Sequence, residues 1–321
     1  MLDEARFVNS IDRILHLRSV PFLAELAASE VAAIAEHMRP RAFEAGEPIL
    51  EAGKAVGAGY SVVEGRVSLS SEGQMLATAG PLEAFGMGGL WTEEPSDLDA
   101  RADIDTLTLE IAREPLLEVV EDRFAILRHL LSRVAATILA ERRRLPAAGF
   151  GAANDLEFPF PDQSIDLVER LFVLRRIAPF ARGSIDALSE LARHQTEVRL
   201  PVGHVLWQGG EPASHFFAIL HGVVSCKTPT GTFGVGARQG LGALEAVAGL
   251  PRWYEARVEK EVVALRSSVE STFDVFEDHP RLGIGMLAAM SHDLRDLGRR
   301  FTLTHFAGRD SAGLETELTK R

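Results

Sequence analysis

Four histidines and one cysteine are the residues whose side chains could bind a metal ion or act as a nucleophile. The histidines are His194, His204, His215 and His221, and the cysteine is Cys226. A jelly-roll barrel can hold a metal ion on inward-facing histidines, but the close His-x-His pair that such sites commonly use is missing. His204 stands at a predicted strand start and His221 at a glycine turn, where exposure is the ordinary state. We therefore expect no metal site, and we expect Cys226 to be a small core residue.

The sequence also lacks the motifs that usually mark an enzyme. It contains no Gly-x-Ser-x-Gly elbow, no His-Glu-x-x-His motif and no complete Gly-x-Gly-x-x-Gly motif. Gly53-Lys54 is followed by Ala55 and has no glycine five positions earlier, so it is not a phosphate-binding loop. We therefore predict that the protein is not an enzyme.

The composition indicates two ordinary folded domains. The chain has 321 residues, of which 46% are hydrophobic and 25% charged. Its net charge of −12 argues against a broad nucleic-acid-binding surface. A single cysteine excludes a disulfide within the chain and favours a reducing cytoplasmic setting. Acidic residues near the N-terminus argue against a signal peptide. The sequence also lacks the long uncharged apolar run that would predict a membrane span.

The chain repeats itself at a spacing of 157 residues. Residues 45–53 align with 202–210 and residues 60–68 with 217–225, and a spacing of 156 then aligns Gly86 with Gly242. Shared glycines stand between short β-prone runs, where tight strand turns need them. We predict an α+β fold with mainly β cores: two jelly-roll β-barrels, each flanked by an N-terminal helix and a long C-terminal helix.

The repeat also sets the predicted domain boundaries. We place domain 1 at residues 1–144, a linker at 145–163, domain 2 at 164–304 and a polar tail at 305–321. Prolines and small residues prevent the linker from continuing a helix. Its phenylalanines, Phe158 and Phe160 among them, favour docking of the linker onto a domain, with a partner-binding motif as the alternative.

A set of short motifs recurs in order in the first half: Pro21-Phe22, Gly46-Glu47-Pro48-Ile49, Ala52-Gly53, Glu64-Gly65-Arg66-Val67 and Phe85-Gly86. In these motifs each half resembles a cyclic-nucleotide-binding domain of the kind found in bacterial cAMP-receptor-type regulators and kinase regulatory subunits. The resemblance covers about residues 12–143 and 168–302. It implies a phosphate-binding cassette in each half, at residues 85–96 and 240–254.

In that family the cassette helix offers its N–H groups to the cyclic phosphate, an arginine pairs with the phosphate, and a glutamate binds the ribose. In the first cassette Met87 stands at the glutamate position and Ser96 at the arginine position. With Gly86 and Gly88 these residues form a degenerate cassette. We therefore expect no nucleotide binding in this half.

The second cassette keeps the arginine as Arg252, while Ala243 replaces the glutamate. Glu245 lies two residues further on, and this step turns a helical side chain to another face, so it is not an obvious substitute. Trp253 either fills the pocket or stacks on a base. The candidate ligand-binding residues are Gly242, Leu244, Glu245, Arg252 and Trp253. We predict no cofactor, with a cyclic nucleotide in domain 2 as the alternative.

The long C-terminal helices carry apolar residues at heptad-like spacing. The seam in the first half comprises Phe124, Leu127, Leu131, Val134 and Ile138. A second seam comprises Leu287, Met290, Leu294, Leu297 and Phe301. In relatives this helix forms a dimer contact, so a homodimer and packing within one chain are both compatible with the seams.

We predict a cytoplasmic, non-enzymatic, bacterial-type signalling adaptor or scaffold that uses two degenerate domains for interaction with a protein partner. The alternative is a sensor that binds a cyclic nucleotide in domain 2 through Arg252 and regulates a partner protein. DNA-binding relatives carry a helix-turn-helix domain after the last helix, and residues 302–321 are too few to form one. Direct DNA binding is therefore not expected.

Overall fold

The computed structural model describes residue 7 and residues 9–92, 94–145, 147 and 164–301, apart from the side chains of residues 178 and 298–301. Most of the predicted linker and the whole predicted tail lie outside these described residues. The chain divides into one unit of Met1–His129 with Ser291–Arg321 and a second unit of Leu130–Met290. The predicted domain boundaries follow the sequence repeat and stay predictions.

The first repeat contains eight strands between two pairs of helices in the part of the chain that the structure describes. The helices are α1 (Ser10–Ser19), α2 (Ala28–His37), α3 (Arg113–Asp122) and α4 (Phe124–Arg144). The strands are β1 (Met38–Phe43), β2 (Pro48–Leu50), β3 (Ala58–Glu64), β4 (Val67–Ser71), β5 (Gln74–Ala79), β6 (Ala84–Phe85), β7 (Asp99–Ala102) and β8 (Thr106–Ala112).

These strands form two antiparallel sheets in the orders β1-β8-β3-β6 and β2-β7-β4-β5. In the first sheet β8 pairs with β1, from Met38 opposite Ile111 to Phe43 opposite Thr106. β8 and β3 are buried along most of their length, because each is covered on both faces. The predicted α+β fold with β cores and flanking helices is confirmed, and the sheets are consistent with a jelly roll, although the strand pairing does not show a closed barrel.

The second repeat has the same order of elements. Its helices are α5 (Leu167–Leu174), α6 (Ile185–Arg193), α7 (Ala243–Ala248), α8 (Val269–Asp278) and α9 (Pro280–Phe301). Its strands are β9 (Thr196–Leu200), β10 (Val205–Trp207), β11 (His215–Thr228), β12 (Gly231–Val235), β13 (Gly240–Leu241) and β14 (Glu255–Ser268).

Two long strands in the second repeat take the places of four strands in the first. β11 pairs with β13 near its start and with β12 near its end, as β3 pairs with β6 and β4 with β5. β14 pairs with both β9 and β10, as β8 pairs with β1 and β7 with β2. The eight strand positions of the first repeat therefore recur in the second.

One glycine pair shows why the sequence repeat is visible. Gly65 has φ +102° and Gly222 has φ +86°, in the left-handed region that favours glycine. A Cβ on Gly65 would lie 2.6 Å from the Cα of Thr106, and a Cβ on Gly222 would overlap the carbonyl of Glu261. The neighbouring strand thus excludes any side chain at this corner in both repeats.

Helices long and apolar enough to cross a membrane are absent from the described residues.

Candidate functional site

Both cassettes begin at a glycine with the same backbone conformation. Gly86 has φ +77° and precedes a 3-10 helix at Met87–Trp91, and Gly242 has φ +78° and precedes α7. A β-carbon on Gly86 would lie 3.1 Å from the carbonyl oxygen of Ala58, so the short β6 strand can turn tightly into the cassette only with glycine there. The structure therefore places the two predicted cassettes at equivalent positions.

The first cassette is filled by apolar side chains. Leu90 is fully buried and Trp91 is 7% exposed, and Met87 packs against Gly59 of β3. Gly88 is half-buried with open space where a Cβ would project. The residues at the family's two ligand-binding positions thus offer no charge to a phosphate or a ribose.

Ser96, at the position of the phosphate-binding arginine, has a local structural role. It is 8% exposed, and its Oγ accepts a hydrogen bond of 3.0 Å from the backbone N–H of Leu98. The nearby Arg101 does not supply the missing charge, because its guanidinium donates to the carbonyl of Gly46 on an exposed strand edge. In the second repeat Arg257 donates to the carbonyl of Gly203 in the same way, which indicates a shared structural role.

In the second cassette the guanidinium of Arg252 is buried and engaged inside the protein. The residue is 4% exposed. Its Nη1 donates to the carbonyl of Gly242 at 2.8 Å, and its Nη2 donates to the carbonyl of His215. The guanidinium carbon also lies 3.9 Å from the centre of the Trp207 ring, which is a close cation–π contact. The arginine at the family's phosphate position is thus covered by an indole and bound to two carbonyls.

Glu245 is brought to the same arginine by the geometry of the short helix α7. Its Oε2 lies 3.8 Å from Nη1 of Arg252, and both side chains are 3% exposed. Burial, the largest influence, raises the pKa of the Glu245 carboxyl, and a hydrogen bond with Trp253 and the charge of Arg252 act in the opposite direction. Burial also lowers the pKa of Arg252. Burial therefore disfavours the charged form of both side chains, and their mutual attraction acts against this effect.

Aromatic rings fill the space beside this ion pair. Trp253 stacks on Phe233 with ring centres 6.1 Å apart, and Tyr254 meets Trp253 edge to face at 5.3 Å. Tyr254 also packs against Trp207 at 5.7 Å. Of the two roles open to Trp253, the structure shows it packed against the hydrophobic core of this repeat.

The remaining part of the second cassette contacts the latter part of α4, within the same unit. Ser132 Oγ donates a hydrogen bond of 2.8 Å to the carbonyl of Val247 near the end of α7. Leu244 is half-buried on α7, and Gly249 ends this helix with φ +66°. Gly242, Leu244, Glu245, Arg252 and Trp253 thus lie in one local region, and the buried pair, Glu245 with Arg252, is its charged centre.

Two features of this site were not predicted from the sequence. Glu245 was named as a candidate, but its approach to 3.8 Å from the guanidinium of Arg252 was not foreseen. Trp207, which aligns with Leu50 of the first repeat, was also overlooked. The available signal was that the second repeat has tryptophan and arginine where the first has leucine and serine.

The histidines and the cysteine stand in separate surroundings. Within the described residues no group of three metal-ligating side chains is close enough to hold an ion. His215 contacts Ser214 through Nδ1 and Arg266 through Nε2, and burial together with Arg266 and Arg252 lowers its pKa. Cys226 is fully buried, and burial raises the pKa of its thiol, so the reactive thiolate is disfavoured.

The seam predicted on α4 is largely covered inside the chain. Leu127, Leu131 and Ile138 are fully buried, and Phe124 and Val134 are half-buried. In the second seam Leu287 and Met290 are buried and Leu294 and Leu297 half-buried, while the side chain of Phe301 lies outside the described residues. Packing within one chain, one of the two alternatives, accounts for the buried members.

Comparison with protein families finds one match in the first repeat. Residues 40–123 match the model of the cyclic nucleotide-binding domain. This segment runs from β1 through α3 and contains the whole first cassette. Among curated proteins, no sequence matches this chain.

Several solved structures are similar to the chain at low identity. The regulatory domain of Toxoplasma gondii PKA with cAMP is 14% identical, with 94% of this chain and 99% of that chain covered and a TM-score of 0.33. A regulatory subunit of a cAMP-independent protein kinase A from Trypanosoma cruzi, bound to guanosine, is 13% identical over 99% of this chain and 94% of that chain, with a TM-score of 0.34. The N-terminal domain of a Streptomyces coelicolor A3(2) transcriptional regulator is 25% identical over 40% of this chain and 95% of that chain, with a TM-score of 0.36.

The second repeat has the same strand order as the first and a cassette that begins at the equivalent glycine. The family match itself lies within the first repeat, so residues 40–123 contain a cyclic nucleotide-binding domain.

Proposed function

We propose that this protein is a non-enzymatic regulatory adaptor whose two domains act by recognising a protein partner and do not take up a cyclic nucleotide at their cassettes. The observation that supports this most is the state of Arg252. Its guanidinium is buried, bound to two backbone carbonyls, covered by Trp207 and paired with Glu245.

A cyclic phosphate could reach Arg252 only by breaking these contacts. Each buried polar group that loses its partner costs about 1–3 kcal/mol. The incoming phosphate would also face the carboxylate of Glu245, which lies 3.8 Å from the guanidinium, and like charges repel strongly at a buried site. The second cassette is therefore organised to hold its own arginine.

The first cassette supports the same function by a different route. Met87 and Ser96 provide no charged partner for the ligand, and Ser96 already caps a local turn. A nucleotide bound there would leave its phosphate without a cation, which is unfavourable in a buried site. We therefore propose that neither domain binds cyclic nucleotide at the family's usual position.

A titration of the whole 321-residue chain with cAMP and cGMP tests this function. We expect no saturable heat by isothermal calorimetry for the wild type up to about 1 mM ligand, a concentration at which even a Kd near that value would be visible. Two variants accompany it: Arg252→Lys, which loses the bidentate fork, and the matched control Arg257→Lys at an exposed position of the same repeat.

Saturable binding by the wild type would contradict the adaptor function. If Arg252→Lys then lost this binding and Arg257→Lys kept it, the second candidate function would replace the first. That candidate is a nucleotide sensor in the second repeat. A specific observation favours it: Nε of Arg252 is buried with no hydrogen-bond partner among the described residues, so a ligand could gain a bond there.

A further inference from the structure

The entry helix of the second repeat presents an apolar surface to solvent. Val168 is 57% exposed and Phe172 is 65% exposed on α5, and Leu167 beside them is 37% exposed. Val168 and Phe172 are four residues apart and therefore lie on the same face of the helix. Ile185, the first residue of α6, is 65% exposed, and α5 packs against α6. We call Leu167, Val168 and Phe172 the α5 face.

The same apolar positions recur on the entry helix of the first repeat. Ile11 is 60% exposed and Leu15 is 56% exposed, and these residues precede Val168 and Phe172 by 157 positions. The two helices are otherwise in register, since the N-caps Asn9 and Asp166 and the buried residues Leu17 and Leu174 keep this spacing. Single exposed apolar residues are common on proteins, but a pair repeated at one structural position indicates a shared interaction surface.

The charges around the α5 face fit a second copy of the same helix. α5 begins with the acidic residues Asp166 and Glu169, which form a capping box, and it is followed by the exposed Arg175. In an antiparallel pair of helices the start of each lies beside the end of the other. The acidic start of one copy would therefore lie near Arg175 of its partner, and the helix dipoles would also be opposed.

We propose that the α5 face is a homodimer interface, in which two copies of this chain pack their α5 helices antiparallel about a two-fold axis. A two-fold interface requires a surface that is complementary to itself, and a helix with an apolar centre, an acidic start and a basic end meets this requirement. The α4 seam is not available for the same purpose, because Leu127, Leu131 and Ile138 are fully buried within the chain.

The expected dimer is weak. Stable interfaces bury about 800 Å² on each partner, and an eight-residue helix provides less than this. We therefore expect a dissociation constant on the order of micromolar, so that monomer and dimer exchange with concentration.

Sedimentation velocity of the full chain between about 1 and about 100 µM tests the proposal, because this range spans the expected dissociation constant. The wild type should shift from monomer to dimer. The double variant Val168→Glu/Phe172→Glu should bind itself at least about tenfold more weakly, because it places charges at the centre of the interface. The matched control is Val202→Glu, in the same repeat and 65% exposed at a turn between β9 and β10, and it should dimerise like the wild type.

A second variant separates the electrostatic part of the proposal. Arg175→Glu keeps the apolar face and reverses the charge at one end, so it should weaken the dimer, and added salt should weaken the wild-type dimer in the same direction. At a protein concentration where the wild type is monomeric, all variants should keep the wild-type melting temperature, because they replace exposed side chains.

Three results would overturn the proposal. The wild type could remain monomeric at the highest concentration, or the double variant could dimerise as well as the wild type. The third result is that the wild type is monomeric, while the double variant melts at a lower temperature than the wild type and Val202→Glu does not. This result would indicate that residues 148–163 of the same chain cover the α5 face.

Discussion

The two cassettes share a backbone frame and differ in the side chains that it carries. In the first, the backbone N–H of Gly53 donates to the carbonyl of Ser96 at 2.7 Å, and in the second Gly210 donates to Arg252 at the same distance. Where the first cassette has Ser96 and Leu50, the second has Arg252 and Trp207. The shared backbone therefore does not require the arginine, and in the second cassette the Trp207 ring and the Glu245 carboxyl lie beside it.

Under the proposed function, the two cassettes fail to offer a phosphate site for two different reasons. The first cassette lacks the cation, and its interior is filled by leucine and tryptophan. The second keeps the cation but binds its two Nη atoms to backbone carbonyls and places an indole and a carboxylate beside it. A retained arginine in the sequence is thus not by itself evidence for a bound phosphate.

The largest expected difference between the cassettes is in the stability cost of removing the equivalent side chains. Arg252→Ala leaves Glu245, two carbonyls and a cavity, so it should lower the free energy of unfolding by about 3–5 kcal/mol. Ser96→Ala removes one local hydrogen bond and should cost about 1 kcal/mol. Urea unfolding of both variants measures this, and equal losses would mean that Arg252 is not part of the core.

Replacement of Trp207, whose ring covers the Arg252 guanidinium, should have the next largest effect on stability. Trp207→Leu gives the second cassette the residue of the first, and it removes the cation–π contact and leaves a cavity, so we expect a loss of about 2–4 kcal/mol. The reciprocal Leu50→Trp overpacks a site that has no arginine to cover and should cost about 1–3 kcal/mol. Thermal and urea unfolding check both values, and a Trp207→Leu variant as stable as the wild type would contradict the role of Trp207.

Glu245 should give the second cassette a pH dependence that the first lacks. Burial raises the pKa of this carboxyl in the folded chain, whereas the unfolded chain releases the proton at about pH 4.3. Between these two pKa values the folded chain binds more protons, so this contribution to stability is full below the unfolded pKa and is lost as the pH rises through the folded one.

The variant Glu245→Gln should remove this contribution. The stability of the wild type relative to the variant should therefore fall as the pH rises above about 4.3. The matched control is Glu255→Gln in the same repeat, which also removes one carboxylate from a pair with an arginine, here Arg257. Urea unfolding across this pH range provides the measurement, and a difference that rises with pH would contradict the direction.

The smallest effects are expected where the two repeats use the same contact. Arg101 and Arg257 each donate to the glycine carbonyl at the start of a strand, and both are exposed. In urea unfolding, Arg101→Ala and Arg257→Ala should each lower the free energy of unfolding by less than about 1 kcal/mol, and by similar amounts. A large loss of unfolding free energy in only one of the two variants would show that the two arginines are not energetically equivalent, although their backbone positions are.

The fold could be predicted from the sequence because its turns require particular residues. Glycines with positive φ recur at one spacing, and the close approach of a neighbouring strand at Gly65 and Gly222 excludes other residues there. The fusion of strands into β11 and β14 could not be foreseen, because a continuous strand and two strands with a bend between them have similar patterns of hydrophobic residues.

The contents of the second cassette were only partly predictable. Arg252 and Trp253 were identified from their places in the motif, but the pairing of Glu245 with Arg252 depends on the chain reversal at Gly249, which turns the segment after α7 back toward its start. The Trp207 indole comes from a strand far away in sequence, so local spacing could not bring it to the arginine. The α5 face was not noticed because an exposed apolar residue is defined by the packing around it.

In the proposed function the guanidinium of Arg252 is bound inside the protein and is not offered to a ligand. Nitrogen-15 NMR of the arginine side chains observes this group itself, with the Arg252 signals assigned from the Arg252→Lys variant. We predict separate, slowly exchanging Nη signals for Arg252 that do not move when cAMP is added at about 1 mM, a concentration that would populate even a weak complex. Averaged Nη signals, or signals that shift and saturate with cAMP, would contradict the claim.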